Sequence, residues 1–356
     1  MRGATRYAAC IVATVTAIAT AQTRPVLEPP VTEGRWIRPA ATTAPAAPIW
    51  GHADGLRVGL PPLPGPRGLL RIYTPYVGQV EPKMINFIAV EPTPEGDRHR
   101  GLSELEHSKL DDRQGKRFWS MDKPGEPTPL ATDQPARGVI ETVDGAEHLT
   151  HYVGVERFDN GAHVYLRVRF RADRPHEVGI AVFAHADSKP LRQCVVSATM
   201  GNYARLRQIH LADRVLNSKS IWPSHAGDGF TDHARFPLAE LQRTATGDAF
   251  VSATPDEPRP HDATYAPGTR RHWQFSGTPA RQSWRMPSPP AGLHASVNGR
   301  AMYWASRSPI PGGVSFENFE LTAPFGQGQE FWFAVEPLRD DDPAAATTRP
   351  TQAQAN

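Results

Sequence analysis

The chain has 356 residues, and its 39 lysines and arginines against 37 aspartates and glutamates give a formal net charge of +2. This length is enough for one large domain or two ordinary ones. A nearly balanced charge gives the molecule no overall field that would attract nucleic acid, so nucleic acid is excluded as an expected partner.

The first 21 residues have the pattern of a signal peptide. Arg2 and Arg6 give a positive start, residues 8–19 are uncharged, and Ala19-Thr20-Ala21 forms a small-x-small cleavage site. The apolar run is shorter than the roughly 20 residues that span a bilayer. The sequence therefore predicts a secreted or periplasmic protein that does not span the membrane after cleavage.

The mature chain is predicted to hold one domain between two disordered ends. Residues 22–48 are rich in Pro, Ala and Thr, a composition that buries too little apolar surface to fold. Residues 338–356 are predicted to be a disordered tail, which leaves 49–337 as the domain. Once the leader is removed Cys194 is the single cysteine, so no internal disulfide can form, and its apolar neighbours predict a buried thiol.

The domain has a hydrophobic period of two. In residues 163–171 apolar side chains alternate with polar ones, and a second alternating run follows from residue 177 across a turn at 173–175. Further short strands are predicted throughout, between prolines and glycines, whereas a helix is predicted only near 237–243. We therefore expect an all-β fold, a large antiparallel β-sandwich of jelly-roll or concanavalin-like type with few short helices.

The apolar spacing near the end of the domain is irregular. Val314 and Phe316 would share one face of a regular strand, and Phe319 and Leu321 the opposite face. One extra residue at Glu317 or Asn318 would return all four side chains to the core, as a β-bulge does. Because bulges often redirect a polar side chain, Glu317 is a candidate substrate-binding residue, although a purely structural bulge remains the alternative.

Several phrases of the domain resemble an uncharacterised family of secreted bacterial proteins. The resemblance covers most of residues 50–337 and implies one exported folded unit without a defined activity. The last phrase is also similar to the closing strands of concanavalin-like sandwich domains, which often handle sugars. The phrases are GPRGL at 65–69, INFIAVEP at 85–92, GLSELE at 101–106, TMGN at 199–202, NGR at 298–300 and PIPGGVSFENFEL at 309–321.

The polar face of the two central strands is the first candidate site. Tyr165, Arg167 and Arg169 share this face, with Glu177 and His185 on the next strand. Arginine forks can bind the carboxylates of an acidic polysaccharide. The alternative is that the face only meets solvent, as is common in antiparallel sheets.

The second candidate is the segment that holds Asn202, Tyr203, Arg205, Arg207 and His210. Arg or Asn could hold a uronic-acid carboxylate while His or Tyr removes the α-proton, which is the chemistry of a polysaccharide lyase. QIH at 208–210 and SEL at 103–105 resemble fragments of jelly-roll alginate-lyase motifs. The resemblance departs from those motifs at Leu102, where they have arginine, and at 303–305, where they have a lysine.

Three weaker patterns complete the candidates. The loop 222–233 has aspartates and histidines, but their spacing fits no established calcium or zinc motif, and an ordinary loop is favoured. Trp119, Trp222 and Trp304 could stack on sugars if they are exposed. A glycoside hydrolase would need two carboxylates across a cleft, and the candidates are Glu91, Glu104, Glu106, Glu317 and Glu320.

These patterns favour an exported protein that binds a polysaccharide or other glycan on a basic and aromatic sheet face. A polysaccharide lyase or glycoside hydrolase is the enzymatic alternative, with Asn202, Tyr203, Arg205 and His210 as its candidate catalytic residues. A non-catalytic structural protein of the cell envelope is the third. No cofactor and no metal are predicted. Phosphate loops, dinucleotide fingerprints and nucleophile elbows are absent from the sequence.

Overall fold

The computed structural model describes residues 26–75, 83–124, 134–199, 204–257, 265, 267, 279–304 and 306–338. Almost all regular structure in them is β, which confirms the predicted class. The strands, numbered in chain order, are β1 Val31–Glu33, β2 Trp36–Arg38, β3 Ile49–His52, β4 Arg57–Gly59, β5 Leu70–Thr74, β6 Lys83–Pro94, β7 Phe118–Met121, β8 Val139–Val143, β9 Ala146–Val155, β10 Val164–Arg171, β11 Glu177–Ala184, β12 Leu191–Thr199, β13 Leu206–His210, β14 Val215–Asn217, β15 Ala234–Pro237, β16 Gln242–Arg243, β17 Ala249–Pro255, β18 Ala280–Met286, β19 His294–Arg300, β20 Ser315–Pro324 and β21 Gln329–Pro337.

The strands form two antiparallel sheets that pack face to face. The first sheet has ten strands in the order β1-β2-β3-β4-β5-β6-β12-β20-β19-β15. The second has the order β14-β13-β17-β18-β21-β11-β10-β9-β7, with β16 paired to β17 and β8 to β9. Pairs that are distant in sequence, such as β12 with β20 and β11 with β21, lie inside the sheets and not at their edges.

In β10 the alternation of apolar and polar residues in the sequence matches an alternation of buried and partly exposed side chains. Its four apolar side chains are buried, and the polar ones between them are half-exposed. β10 and β11 pair as the predicted hairpin, with Val168 opposite Ile180. The buried residues are Val164, Leu166, Val168 and Phe170.

The core lies between the two sheets and is continuous across them. Two polar links cross it: the Trp284 indole of the second sheet donates to the Phe319 carbonyl of the first at 2.8 Å, and the Asn86 amide donates to Gln282 at 2.7 Å. Because buried polar groups are stable only when hydrogen-bonded, these links favour one alignment of the two sheets.

The predicted bulge is present in β20. Asn298 of β19 pairs with Asn318, and the next residue, Gly299, pairs with Phe316, so Glu317 is the extra residue. Phe316, Phe319 and Leu321 consequently all face the core. The bulge leaves Glu317 with no partner in the ladder to β19, and its side chain is nevertheless buried.

The segment predicted to be disordered contributes strands to the first sheet, so the prediction for 22–48 is wrong for residues 31–38. β1 and β2 form a hairpin that pairs with β3. Trp36 and Ile37 are buried, and the Trp36 indole donates to Glu147 of the second sheet at 2.8 Å. The burial of these two side chains stabilises strands in a segment whose average composition predicts disorder. A prediction from composition does not show which side chains become buried.

Helices are few and short among the described residues, as predicted, but not where predicted. The α-helix is Ser218–Ile221, capped by the side chain of Asn217, and residues 238–240 form only a 3₁₀ turn. Residues 302–304 lie outside the strands. No helix in the described ranges is long and apolar enough to cross a membrane. Cys194 is buried as predicted.

Candidate functional site

A cavity of about 260 Å³ opens on the outer face of the first sheet. Its floor is built by β6, β12, β20 and β19, because side chains at every second position of these strands point away from the core. Its rim comes from the turn after β6 and from the chain entering β15. The charged or titratable side chains that line this cavity, named here the pocket, are Arg98, Arg100, Arg235, His233, His294 and Glu320.

Glu320 is the buried carboxylate of the pocket floor, and only 3% of its side chain is exposed. Burial acts to raise the pKa of Glu320, but His233 at 3.5 Å and Arg100 at 3.2 Å outweigh burial and hold this pKa below its usual value. The hydroxyl of Ser197 adds a hydrogen bond at 3.4 Å. Glu320 is therefore ionised at neutral pH, with its charge already paired.

Glu91 of β6 shares Arg100 with Glu320. The Arg100 Nε lies 2.8 Å from a Glu91 carboxylate oxygen. Burial nevertheless raises the pKa of Glu91 to about 8, helped by the nearby Glu320 and opposed by Arg100. The surroundings therefore separate the pKa values of two carboxyl groups that contact one guanidinium, raising that of Glu91 and lowering that of Glu320.

Two more carboxyl groups lie further along this face. Burial raises the pKa of Glu317 to about 8, with Arg300 opposing and Glu104 adding to the shift. Glu104 also acts on Glu91, and its own pKa is raised by burial. The structure thus brings four of the five predicted glutamates to one face. Glu106 is separate from them and pairs with Lys116 at 3.2 Å.

The pocket carries an excess of positive charge. Three arginines, Arg98, Arg100 and Arg235, line the cavity together with a single carboxylate, Glu320. Within the described residues no carboxylate lies in ion-pair distance of Arg98 or Arg235. Burial, followed by Arg235, lowers the pKa of His294, so its imidazole is neutral. The arrangement can bind an anionic group at the rim.

The Glu91 and Glu320 carboxyl groups are bridged by one guanidinium, that of Arg100. Glycoside hydrolysis requires the two carboxyl groups to flank the scissile bond, with room for substrate between them. Arg100 contacts both groups, at 2.8 Å and 3.2 Å. The geometry therefore favours binding of charge by the pocket over cleavage.

The side chains predicted to share a face of the second sheet do lie together, and they form ring contacts and ion pairs with one another and with neighbouring strands. Tyr165 stacks on Phe183 with ring centroids 5.0 Å apart, and His185 stacks on His163 at 4.1 Å. Both predicted arginines of this face are engaged by one carboxylate. The ion pairs are Arg167–Glu330 and Arg169–Glu330, each at 3.3 Å.

Other charges of this second-sheet face are paired as well. Glu177 binds Arg285 at 2.8 Å and Arg174 at 3.1 Å. Glu317, the separate substrate-binding candidate at the bulge, lies on the first sheet. The second-sheet face therefore offers a ligand fewer open arginine forks than the pocket does.

The lyase candidates do not form a common cleft with Tyr165. Arg205 and Arg207 are buried and share Glu257, at 3.1 Å and 3.3 Å. His210 binds the Thr254 hydroxyl at 2.9 Å and is largely buried. β13, which holds Arg207 and His210, is five strand positions from β10 in the second sheet, or about 24 Å at the usual strand spacing.

The remaining lyase candidates, Asn202 and Tyr203, lie outside the described residues. Arg205 also donates to the Tyr303 hydroxyl at 3.0 Å and packs on the ring of Tyr265. These contacts give the Arg205 guanidinium a structural role in holding the loop around Tyr303.

Sequence reasoning missed the basic half of the pocket. Arg98 and Arg100 lie in a turn, and Arg235 and His294 lie on short strands, without a local pattern that distinguishes them from surface residues. Glu320 and Arg100 are 220 residues apart in sequence, so only strand pairing unites them. The loop 222–233 contributes His233 to the pocket, and no cluster of three or more metal-ligating side chains occurs in the described part of the chain.

No protein family and no curated protein matches the chain. Solved structures that superpose in part include the GH36 α-galactosidase AgaA of Geobacillus stearothermophilus, at 9% identity, 86% of this chain, 40% of that chain and a TM-score of 0.33. AgaB of the same organism is 9% identical, with 81% of this chain and 41% of that chain covered and a TM-score of 0.30. The protein HI1317 is 8% identical, with 84% of this chain and 98% of that chain covered and a TM-score of 0.26.

The chain therefore spans about two fifths of the length of the two α-galactosidases. TM-scores of this size do not establish a common fold, and the two-sheet architecture rests on the strand pairing described above.

Proposed function

We propose that the protein is an exported carbohydrate-binding protein and that its pocket holds an anionic sugar unit of an acidic glycan. One observation carries the proposal: a cavity of about 260 Å³ has three arginines on its wall and a single ionised carboxylate, which is already paired. Arg98 and Arg235 leave their charges available to a ligand.

The pocket has the chemistry that a uronic acid requires. A guanidinium binds a carboxylate through two parallel hydrogen bonds, a geometry that lysine cannot offer. The hydroxyls of Thr93, Ser296 and Thr322 also line the cavity and can exchange hydrogen bonds with sugar hydroxyls. The volume is close to the lower end of the range for small-molecule sites, which suits a single sugar unit.

The test is a titration calorimetry experiment with a short uronic-acid oligosaccharide and a neutral oligosaccharide of the same length. We expect the acidic ligand to bind and the neutral one to bind at least about tenfold more weakly, a difference of about 1.4 kcal/mol. Arg98→Ala and Arg235→Ala should each weaken the acidic ligand by a similar factor. Equal binding of the two ligands would mean that the pocket does not recognise the negative charge of the glycan, and the proposal would fail.

Arg113→Ala is the matched control, because Arg113 is exposed and does not line the pocket. It removes the same charge from the surface without touching the pocket, so it should leave the affinity unchanged. An equal loss in Arg113→Ala would show that only the net charge matters, and the pocket proposal would then fail.

Export is part of the proposal and has its own test. Expression of the full chain in a bacterial host, followed by N-terminal sequencing of the extracytoplasmic fraction, should give a protein that begins at Gln22. The alternatives predict different results: a lyase would generate ultraviolet absorbance from new double bonds in a uronic-acid polymer, and an envelope component would fractionate in large complexes without binding glycan.

A further inference from the structure

Two exposed aromatic rings lie on the first sheet beyond the pocket. Trp304 is 66% exposed and Phe230 is 50% exposed. The guanidinium of Arg300, which is itself buried, lies 4.9 Å from the centre of the Trp304 ring and 4.8 Å from that of Phe230. Cation–π attraction of this kind holds both rings in place, although each leaves a large apolar area in water.

The charge of Arg300 has no carboxylate within ion-pair distance among the described residues. Its guanidinium donates to two backbone carbonyls, that of Asp228 at 2.6 Å and that of Met302 at 3.4 Å. Glu317 is close enough to feel Arg300, but burial raises the pKa of Glu317 to about 8, so it is mostly protonated at neutral pH. One carboxyl oxygen of Glu317 is buried without a hydrogen-bond partner in the described part of the chain.

These groups continue the face that holds the pocket. His294 and Arg300 both point outward from β19, and the six residue steps from one to the other correspond to about 20 Å at 3.3 Å per residue. The loop before β15 runs beside this length of strand. Thr231 hydrogen-bonds Gly299 at 2.8 Å and 2.9 Å, and His233 contacts Asn298 at 3.4 Å.

We propose that Trp304, Phe230 and Arg300 form a second subsite that takes a further anionic sugar unit of the same glycan chain. The exposed Trp304 ring would stack on the sugar ring, and Arg300 would supply the opposite charge. The inference rests on the proposed function, because it assumes that the pocket holds another unit of this chain. A glycan that occupies both places runs along β19 for about 20 Å.

The experiment compares a uronic-acid dimer, which is too short to reach both places, with an octamer of the same sugar. Because two linked sites act cooperatively through effective concentration, the octamer should bind the wild type at least about tenfold tighter than the dimer. Trp304→Ala should abolish this advantage. Phe230→Ala should reduce the advantage.

Leu110→Ala is the control, because Leu110 is another exposed apolar side chain, at 45%, outside the pocket and outside this subsite. It should keep the full advantage of the octamer. Since Trp304 is mostly exposed, its truncation should leave the thermal unfolding of the protein unchanged, and a Trp304→Phe variant should keep part of the advantage through its smaller ring.

The outcomes separate the two proposals. If the dimer binds through Arg98 but the octamer binds no tighter, the second subsite is wrong and the pocket remains. If the octamer is tighter and Trp304→Ala keeps that advantage, the subsite is also wrong. If neither length binds the wild type, the proposed function fails, and the second subsite fails with it.

Discussion

The two glutamates around Arg100 show that the surroundings can give identical residue types different pKa values. Glu91 and Glu320 are both buried on one face, yet burial raises the pKa of Glu91 to about 8, while His233 and Arg100 overcome burial at Glu320 and lower its pKa. Groups whose environments separate their pKa values in this way mark functional sites more often than surface pairs do. The two carboxyl groups around Arg100 therefore differ in their tendency to ionise, although they are the same residue type.

The carboxylates of this site were predictable from the sequence, and the arginines were not. Glu317 drew attention through the irregular apolar spacing around it, which the bulge explains, and Glu91 and Glu320 were among the candidate carboxylates of a hydrolase. Arg98 and Arg235 belong to a chain with many exposed arginines, so composition could not single them out. Their importance arises because no carboxylate of the described residues lies at ion-pair distance from them, which is a property of the folded surface.

His151 provides a residue-scale prediction about stability. Its imidazole is fully buried and stacks on Trp50 with ring centroids 4.1 Å apart, and burial lowers its pKa from 6.5 to about 3. The unfolded chain therefore binds the extra proton between pH 6.5 and about 3, so this group destabilises the fold as the pH falls through that window. His151→Phe keeps the ring and removes the titration.

Between pH 7 and pH 5 the wild type should lose about 2 kcal/mol more unfolding free energy than His151→Phe loses, because each pH unit contributes about 1.4 kcal/mol. Urea unfolding of both proteins at the two pH values measures this difference. The comparison between the two proteins cancels the opposite effect of Glu91 and Glu317, which are present in both. His99→Phe, at an exposed position, is the control. Equal pH dependence in His151→Phe and the wild type would mean that His151 is protonated in the fold.

At the scale of elements, alternation predicted the central strands and failed at the edges. The period of two identified β10 and β11, because a strand with one buried face must alternate. β1 and β2 have three residues each, too few for a period to appear. The α-helix at 218–221 is a single turn that depends on the Asn217 cap and on the Ser218 hydroxyl, which donates to Val314 at 2.6 Å.

The β20 bulge gives an element-scale prediction. Deleting Glu317 leaves Val314, Phe316, Phe319 and Leu321 at alternate positions, so a regular strand would direct all four to the core. The deletion variant should therefore fold, with a loss of unfolding free energy no greater than about 3 kcal/mol. Near-ultraviolet circular dichroism and urea unfolding measure this.

The control deletion removes Arg167 from β10, where pairing with both neighbouring strands is regular. This deletion moves either the apolar side chains before residue 167 or those after it to the solvent face, and we expect no cooperative unfolding. If deletion of Glu317 is as damaging as deletion of Arg167, the extra residue is part of the core arrangement and the interpretation as a bulge is wrong.

At the scale of the whole molecule, the order of strands was beyond the sequence. Periodicity gives each strand two faces but does not say which strand lies beside it, and here β6 pairs with β12 and β12 with β20. Pairs so distant in sequence are selected by the fit of the complete core. The pocket is a product of that order, because its floor uses four strands of the first sheet.

The N-terminal hairpin tests whether the fold extends beyond the predicted domain. The indole of Trp36 is buried at the edge of the first sheet, 4.7 Å from the His52 ring, and its hydrogen bond to Glu147 reaches the second sheet. Trp36→Ala should lower the unfolding free energy by about 3–5 kcal/mol, as truncation of a buried aromatic does. Val26→Ala, at a position 91% exposed, should change it by less than about 0.5 kcal/mol. If urea unfolding gives the same midpoint for Trp36→Ala and Val26→Ala, residues before 49 add nothing to the fold, and the domain begins where composition placed it.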